Sequence, residues 1–203
     1  DLGTEFDYVS YLYKDDILYV MKKATVSIVS HGHGSWVVTR LLSVKRWIIG
    51  AFGKVFPSDE ADLLAGLNLG EKGDISGEFR NELVTTGTIH IIALSGYNVS
   101  IIAGALRAFL ADALGLAPRI AAFSGAFGIV LFVLMTGAQS SAVRAGIMAL
   151  VSILARSSGR TYDAFRALMT AGFLMVLYDP KYLVYDVSFQ LSFLATLGIV
   201  FVT

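Results

Sequence analysis

The sequence predicts a mainly α fold: a polytopic transmembrane helix bundle, preceded by a short β segment and an amphipathic interfacial helix. Three observations carry this. About five apolar segments follow residue 88, and a bilayer takes roughly 20 residues of helix to cross. The chain is 55% hydrophobic and only 16% charged, with a mean hydropathy of +0.66, whereas charge in soluble domains lies near about 25%. Charge is also partitioned: nearly all the lysines and most of the acids precede residue 88, and Lys181 is the single lysine after it. Residues 1–33, 34–87 and 88–203 therefore read as a β part, a lead-in part and a membrane part.

Formal net charge is zero, so no global basic field announces a nucleic-acid partner, and any such contact must come from local patches. Cysteine is absent, which removes disulfides, thiolate metal sites and cysteine nucleophiles together. The chain opens on Asp1 and stops inside an apolar run, which reads as a fragment of a longer protein.

Residues 6–30 read as strands. Tyr8, Val9, Tyr11, Leu12 and Tyr13 run into the turn-like Lys14, Asp15 and Asp16, and Ile17 to Met21 and Thr25 to Val29 follow. Tyrosine and β-branched residues suit a half-buried pleated surface. Two or three strands cannot hold a core alone, so they read as the tail of a small β domain. The tyrosines could stack on bases, but sheet packing is the simpler role. His31 and His33 invite a zinc reading. The only other histidine is His90 in an apolar run, so the pair reads as part of a glycine-rich loop, with no metal or cofactor expected.

From Trp36 to Phe56 the pattern turns amphipathic. Val37, Val38, Leu41, Leu42, Val44, Ile48, Ile49 and Phe52 recur at helical spacing, interleaved with Arg40, Lys45, Arg46 and Lys54. Such a helix can lie in the headgroup layer or pack against a soluble core, and the pattern supports both equally. Pro57 then restarts a helix with Ser58 as its cap and Asp59 and Glu60 near its positive end; Gly70 closes it. A short helix is expected around Glu78 to Val84.

The apolar segments are Ile89–Phe109, Ile120–Met135, Ala142–Ala155, Ala164–Tyr178 and Ser188–Val202. Small residues such as Gly128, Ala145, Gly146 and Gly172 would let the helices approach closely. Arg107, Arg119, Arg156, Arg160 and Arg166 fall after the first and third segments, which the positive-inside rule places in the cytoplasm, leaving the β segment outside.

Polar residues are costly in hydrocarbon and survive there facing protein or a watery path. Three groupings stand out. His90, Ser95, Gly96, Tyr97 and Asn98 lie in the first segment, where Ser95-Gly96 can weaken the helix. Thr136 to Arg144 link the second and third segments, and Arg144 can hold a carboxylate or phosphate or merely snorkel. Asp186, Ser188, Gln190, Ser192 and Thr196 give the fifth segment a polar stripe, with Asp186 a helix cap or a partner for Arg144. No grouping has a nucleophile–base pair, a carboxylate dyad or a phosphate-cradling loop, so the chain does not read as an enzyme.

At these places the sequence resembles the ComEC/Rec2 competence family of DNA uptake channels. The matching stretches are Gly87 to Gly96 (a glycine, hydroxyl residue, histidine, aliphatic pair and Ser-Gly), Thr136-Gly137 through Ser141 to Ala145, and Asp186 to Phe193. Where many members carry Leu-His-Val after Ser-Gly, this chain has Tyr97, Asn98 and Val99. The resemblance implies an inner-membrane channel that admits single-stranded DNA during natural transformation, preceded by an extracytoplasmic OB-like domain. Its implied partners are single-stranded DNA, the lipid bilayer and other competence proteins. It also implies further channel helices and a hydrolase-like domain beyond this fragment. The candidate translocation residues are then His90, Ser95, Gly96, Asn98, Arg144, Asp186, Gln190 and Ser192. The competing readings are a small-solute permease and a non-transporting membrane scaffold.

Overall fold

In a computed structural model, the described residues are 12–13, 17–21, 23, 25, 27, 30, 35–71, 75–88, 96–109, 114–115 and 117–202. Helices dominate them: α1 (Trp36–Val55), α2 (Ser58–Leu69), α3 (Gly77–Thr85), α4 (Gly96–Ala108), α5 (Pro118–Met135), α6 (Ser140–Ser157), α7 (Ala164–Tyr178), α8 (Lys181–Tyr185) and α9 (Val187–Val202).

The predicted fold class is corrected in two respects. Among the described residues there is no strand. Ile17 to Met21, expected as a strand, have no regular structure and stand exposed. Among the described residues no ladder pairs with them, and β preference expresses packing on a pleated surface. The Lys14-Asp15-Asp16 turn, His31 and His33 lie outside the described residues. Tyr13 instead packs edge-on against Tyr185 of α8, with Lys181 Nζ 4.9 Å from its ring.

Second, no helix among the described residues is long and apolar enough to cross a membrane. The arithmetic is short. At about 1.5 Å per residue, the 18-residue α5 and α6 reach roughly 27 Å, the 15-residue α7 roughly 22 Å and the 16-residue α9 roughly 24 Å, against a hydrocarbon core of about 30 Å. The 20-residue α1 carries four cations. Part of the first apolar run, residues 89–95, lies outside the described residues.

α6 is the hub of the bundle, packing against α4, α5, α7 and α9. One core joins Leu69, Val99, Phe132, Met135, Ala142 and Ala145. Leu41, Ile48, Ile49 and Phe52 of α1 close over it, so the protein-core alternative for α1 holds for that face. Lys45 sits on the same face, buried, with its Nζ 2.5 Å from Glu71 Oε2. A second layer is built from the fully covered Ala167, Leu168 and Ala171 of α7. At Gly172 a methyl group would stand 2.6 Å from the Phe193 ring, and at Gly146 2.9 Å from Val133. These are the close approaches that small residues permit.

The connections show local chemistry. Pro57, not Ser58, is the residue before α2, and its side chain offers no capping bond. Asp59 accepts from both Ser76 N and Ser76 Oγ, at 3.2 and 3.0 Å, pinning the start of α3 to α2. Ser76 in turn caps α3 by accepting from Phe79 N at 3.3 Å.

Candidate functional site

Apart from Lys45, the buried polar residues lie on α6, in the turn before it and at the start of α9. Thr136, Ser140, Ser141, Arg144 and Asp186 are all buried. Ser140, Ser141 and Arg144 share a face because side chains three and four residues apart on a helix are neighbours. Arg144 is only 6% exposed. Its guanidinium donates through Nη1 to the Thr196 hydroxyl of α9, and that hydroxyl donates to Ser192 O at 2.9 Å. Arg144 Nε and Ser192 Oγ, both inaccessible, have no hydrogen-bond partner among the described residues. A buried cation held by a single hydroxyl is an unusual arrangement, because desolvating a guanidinium costs several kcal/mol unless it is compensated.

Asp186, 2% exposed, precedes α9. Its Oδ1 accepts from Phe189 N at 3.0 Å, which is the capping role expected of it. The stripe expected along α9 is real in part. Ser192 and Thr196 are half-buried beside Arg144, whereas Ser188 is exposed.

The amides do something the sequence reading missed. Asn98, in the first turn of α4, donates from Nδ2 to Leu67 O at 2.7 Å. Gln139, just before α6, donates from Nε2 to Gly70 O at 3.2 Å. Gln190 donates to Leu183 O and Val184 O of α8, at 2.8 and 3.2 Å. Each amide covers carbonyls at the end of a short helix, where the last four have no partner within the helix. Gly70, with φ 64°, makes the turn that presents its carbonyl, and a methyl group there would meet Gln139 Nε2 at 2.8 Å. The signal was available: a short helix ending in glycine next to apolar segments needs donors, and Asn98 and Gln139 were the amides at hand.

The candidates thus separate. Arg144 and Ser192 come together through Thr196 in the seam where α6 faces α9, and Asp186 caps the start of α9. Asn98 and Gln190 cap α2 and α8. Gly96 opens α4. His90 and Ser95 lie outside the described residues. An open trough of 560 Å³ lies elsewhere, at the far end of α6, lined by Val151, Leu154, Ala155, Ser158 and Arg160.

Comparison with known proteins adds a family. The family described as Competence protein matches residues 67–203, which contain the whole seam. ComE operon protein 3 of Bacillus subtilis (strain 168) is 25% identical to this chain over 195 residues, covering 96% of the chain and 25% of that protein. The chain therefore spans about a quarter of the length of this curated relative. No solved structure matches.

Proposed function

The chain belongs to the competence protein family, and on that premise we propose that it serves DNA uptake by competent cells, as part of a route that passes single-stranded DNA at the cytoplasmic membrane. The observation that carries this reading is the polarity of the molecule. Arg144, Ser140, Ser141 and Asp186 are interior, while Phe123, Phe127, Phe173, Leu177, Leu194 and Phe201 stand exposed. Apolar exteriors of that extent mark contact with lipid or with further protein. The interior hydroxyls and guanidinium suit a phosphodiester, which Arg recognises through its planar fork. Uncharged donors around one cation also fit conduction, where contacts must allow both entry and release. The proposed roles are transport, not catalysis, with single-stranded DNA as cargo and the lipid surface and other competence proteins as surroundings.

The test is transformation by cells whose full-length protein carries Arg144→Gln. Hydrogen bonds to charged groups are worth about 1.5–3 kcal/mol, so transformation is expected to fall about ten- to hundredfold at unchanged membrane levels of the protein. Arg144→Lys should restore part of it, since it keeps the charge and loses the fork. Unchanged transformation in Arg144→Gln would defeat the reading.

A second reading, in which the polar residues act as structural glue, is favoured for Asn98 and Gln190 alone, because each amide is engaged with helix-end carbonyls.

A further inference from the structure

The outward face of α1 lies outside the stretch matched by the family, and the seam makes no use of it. Leu41, Lys45, Ile48, Ile49 and Phe52 turn toward the bundle. At 100° per residue, the opposite face consists of Trp36, Thr39, Arg40, Ser43, Trp47, Gly50 and Lys54, with Arg46 at its edge. Trp36 and Trp47 are 72% and 74% exposed. Burying so little of an indole wastes its apolar surface, which marks it as available to a partner.

Charge narrows the partner. α1 contains no acidic residue, and Lys45 is spent on Glu71, so the three exposed cations Arg40, Arg46 and Lys54 are left uncompensated on the helix. Arg40 lies 5.8 Å over the Trp36 ring. The large apolar groups on this face are the two rings, about 16 Å apart along the axis and separated by cations and hydroxyls. The Thr39 and Ser43 hydroxyls are turned back onto Ser35 O and Thr39 O. At Gly50 and Gly53 a side chain would meet nothing within 4 Å, so the backbone there is open to an incoming chain.

We propose that this face is a binding platform for single-stranded nucleic acid, with Trp36 and Trp47 stacking on bases and Arg40, Arg46 and Lys54 following the phosphates. Alternating rings and cations are what a sequence-tolerant single-strand surface requires, since every base has a π-face and every nucleotide a charge. A face that inserts among acyl chains would be continuously aliphatic; the valines Val37, Val44 and Val55 lie at its shoulder, and its middle is polar. The inference rests on the DNA-uptake reading and adds a capture site upstream of the seam.

The test reads Trp36 and Trp47 as the difference in emission between the protein and its Trp36→Phe, Trp47→Phe double variant. The full-length protein is titrated with a labelled oligo-dT and, separately, with an abasic oligomer of equal length and with phosphatidylglycerol vesicles. Oligo-dT should quench the indole emission, and the abasic strand should bind at least roughly tenfold more weakly. Trp47→Ala should weaken oligo-dT binding roughly tenfold or more, and Trp47→Phe, which keeps a ring, should recover most of it. The triple variant Arg40→Gln, Arg46→Gln, Lys54→Gln should lower the slope of log affinity against log salt by about two. Unchanged affinity and slope in these variants, or a vesicle-induced blue shift with no response to oligo-dT, would overturn the proposal. The two failures are separable: if uptake depends on Arg144 while the α1 variants bind DNA normally, only this platform falls.

Discussion

At the scale of single residues, Lys45 and Arg144 are two buried cations with different solutions. Lys45 has a carboxylate: Glu71, itself well exposed, reaches in to meet it. Removing one partner of a fully buried pair costs about 3–5 kcal/mol, and water around Glu71 should reduce this to about 1–2 kcal/mol. Glu71→Gln is therefore expected to lower stability by that amount in denaturant unfolding, while Lys45→Met, a swap of similar volume, should be near neutral. Equal losses in both would contradict the pairing. Arg144 has, among the described residues, no carboxylate partner but the hydroxyl of Thr196. Tyr162 supplies a pH effect. Partial desolvation first, and the charge of Asp163 second, raise its hydroxyl above the ordinary value of 10.0, and because the residue is 38% exposed the effect on stability is small. A raised folded pKa contributes stability that is complete below pH 10.0 and is lost as pH climbs through the folded value. Tyr162→Phe should remove that component of alkaline destabilisation, read as a smaller drop in Tm above pH 10. Asp186 as a cap was legible from its place before Val187, because capping needs only local sequence. The Lys45 partner was not legible, because it depends on α1 folding back onto the end of α2.

At the scale of elements, the helical segments were readable from their apolar composition, and α7 falls on the expected Ala164 and Tyr178. α8 was missed. Its five residues follow Asp179-Pro180, which reads as a turn, and so short a helix leaves no periodic trace. Small residues announced close helix contacts without saying which ones would be used. Gly172 and Gly146 are pressed by Phe193 and Val133, whereas Gly104, Gly125 and Gly198 have open space where a side chain would go. Composition gives the possibility of contact; only the helix rotations decide it. Gly172→Ala should force the Phe193 ring, stacked at 5.7 Å on Phe189, to move, and should cost about 1–3 kcal/mol. Gly198→Ala should be neutral or slightly stabilising, because Ala is the better helix former by about 1 kcal/mol. Thermal unfolding of the two variants side by side would check the contrast.

At the scale of the whole molecule, the burial of a few polar groups beside an apolar core was legible, because polar groups recurring within apolar segments have few other places to go. The fold class was not. Apolar segments suggest membrane-crossing helices, yet the described helices end where Thr136-Gly137, Gly159 and Asp179-Pro180 break them, short of the required length. The β segment was read from residue preference alone, and preference without a neighbouring strand does not make a sheet. What unites the residue and element scales is the seam between α6 and α9. There an uncompensated guanidinium and a row of hydroxyls lie inside a body whose outer surface is rich in phenylalanine and leucine.

That seam is most directly tested by photocrosslinking during uptake, with a photoreactive residue placed at Ser192 or, as a control, at the exposed Phe201. An incoming single strand should be captured from position 192 and not from 201, and Arg144→Gln should abolish the capture. Equal capture from both positions, or continued uptake with none from 192, would contradict a route along α6 and α9.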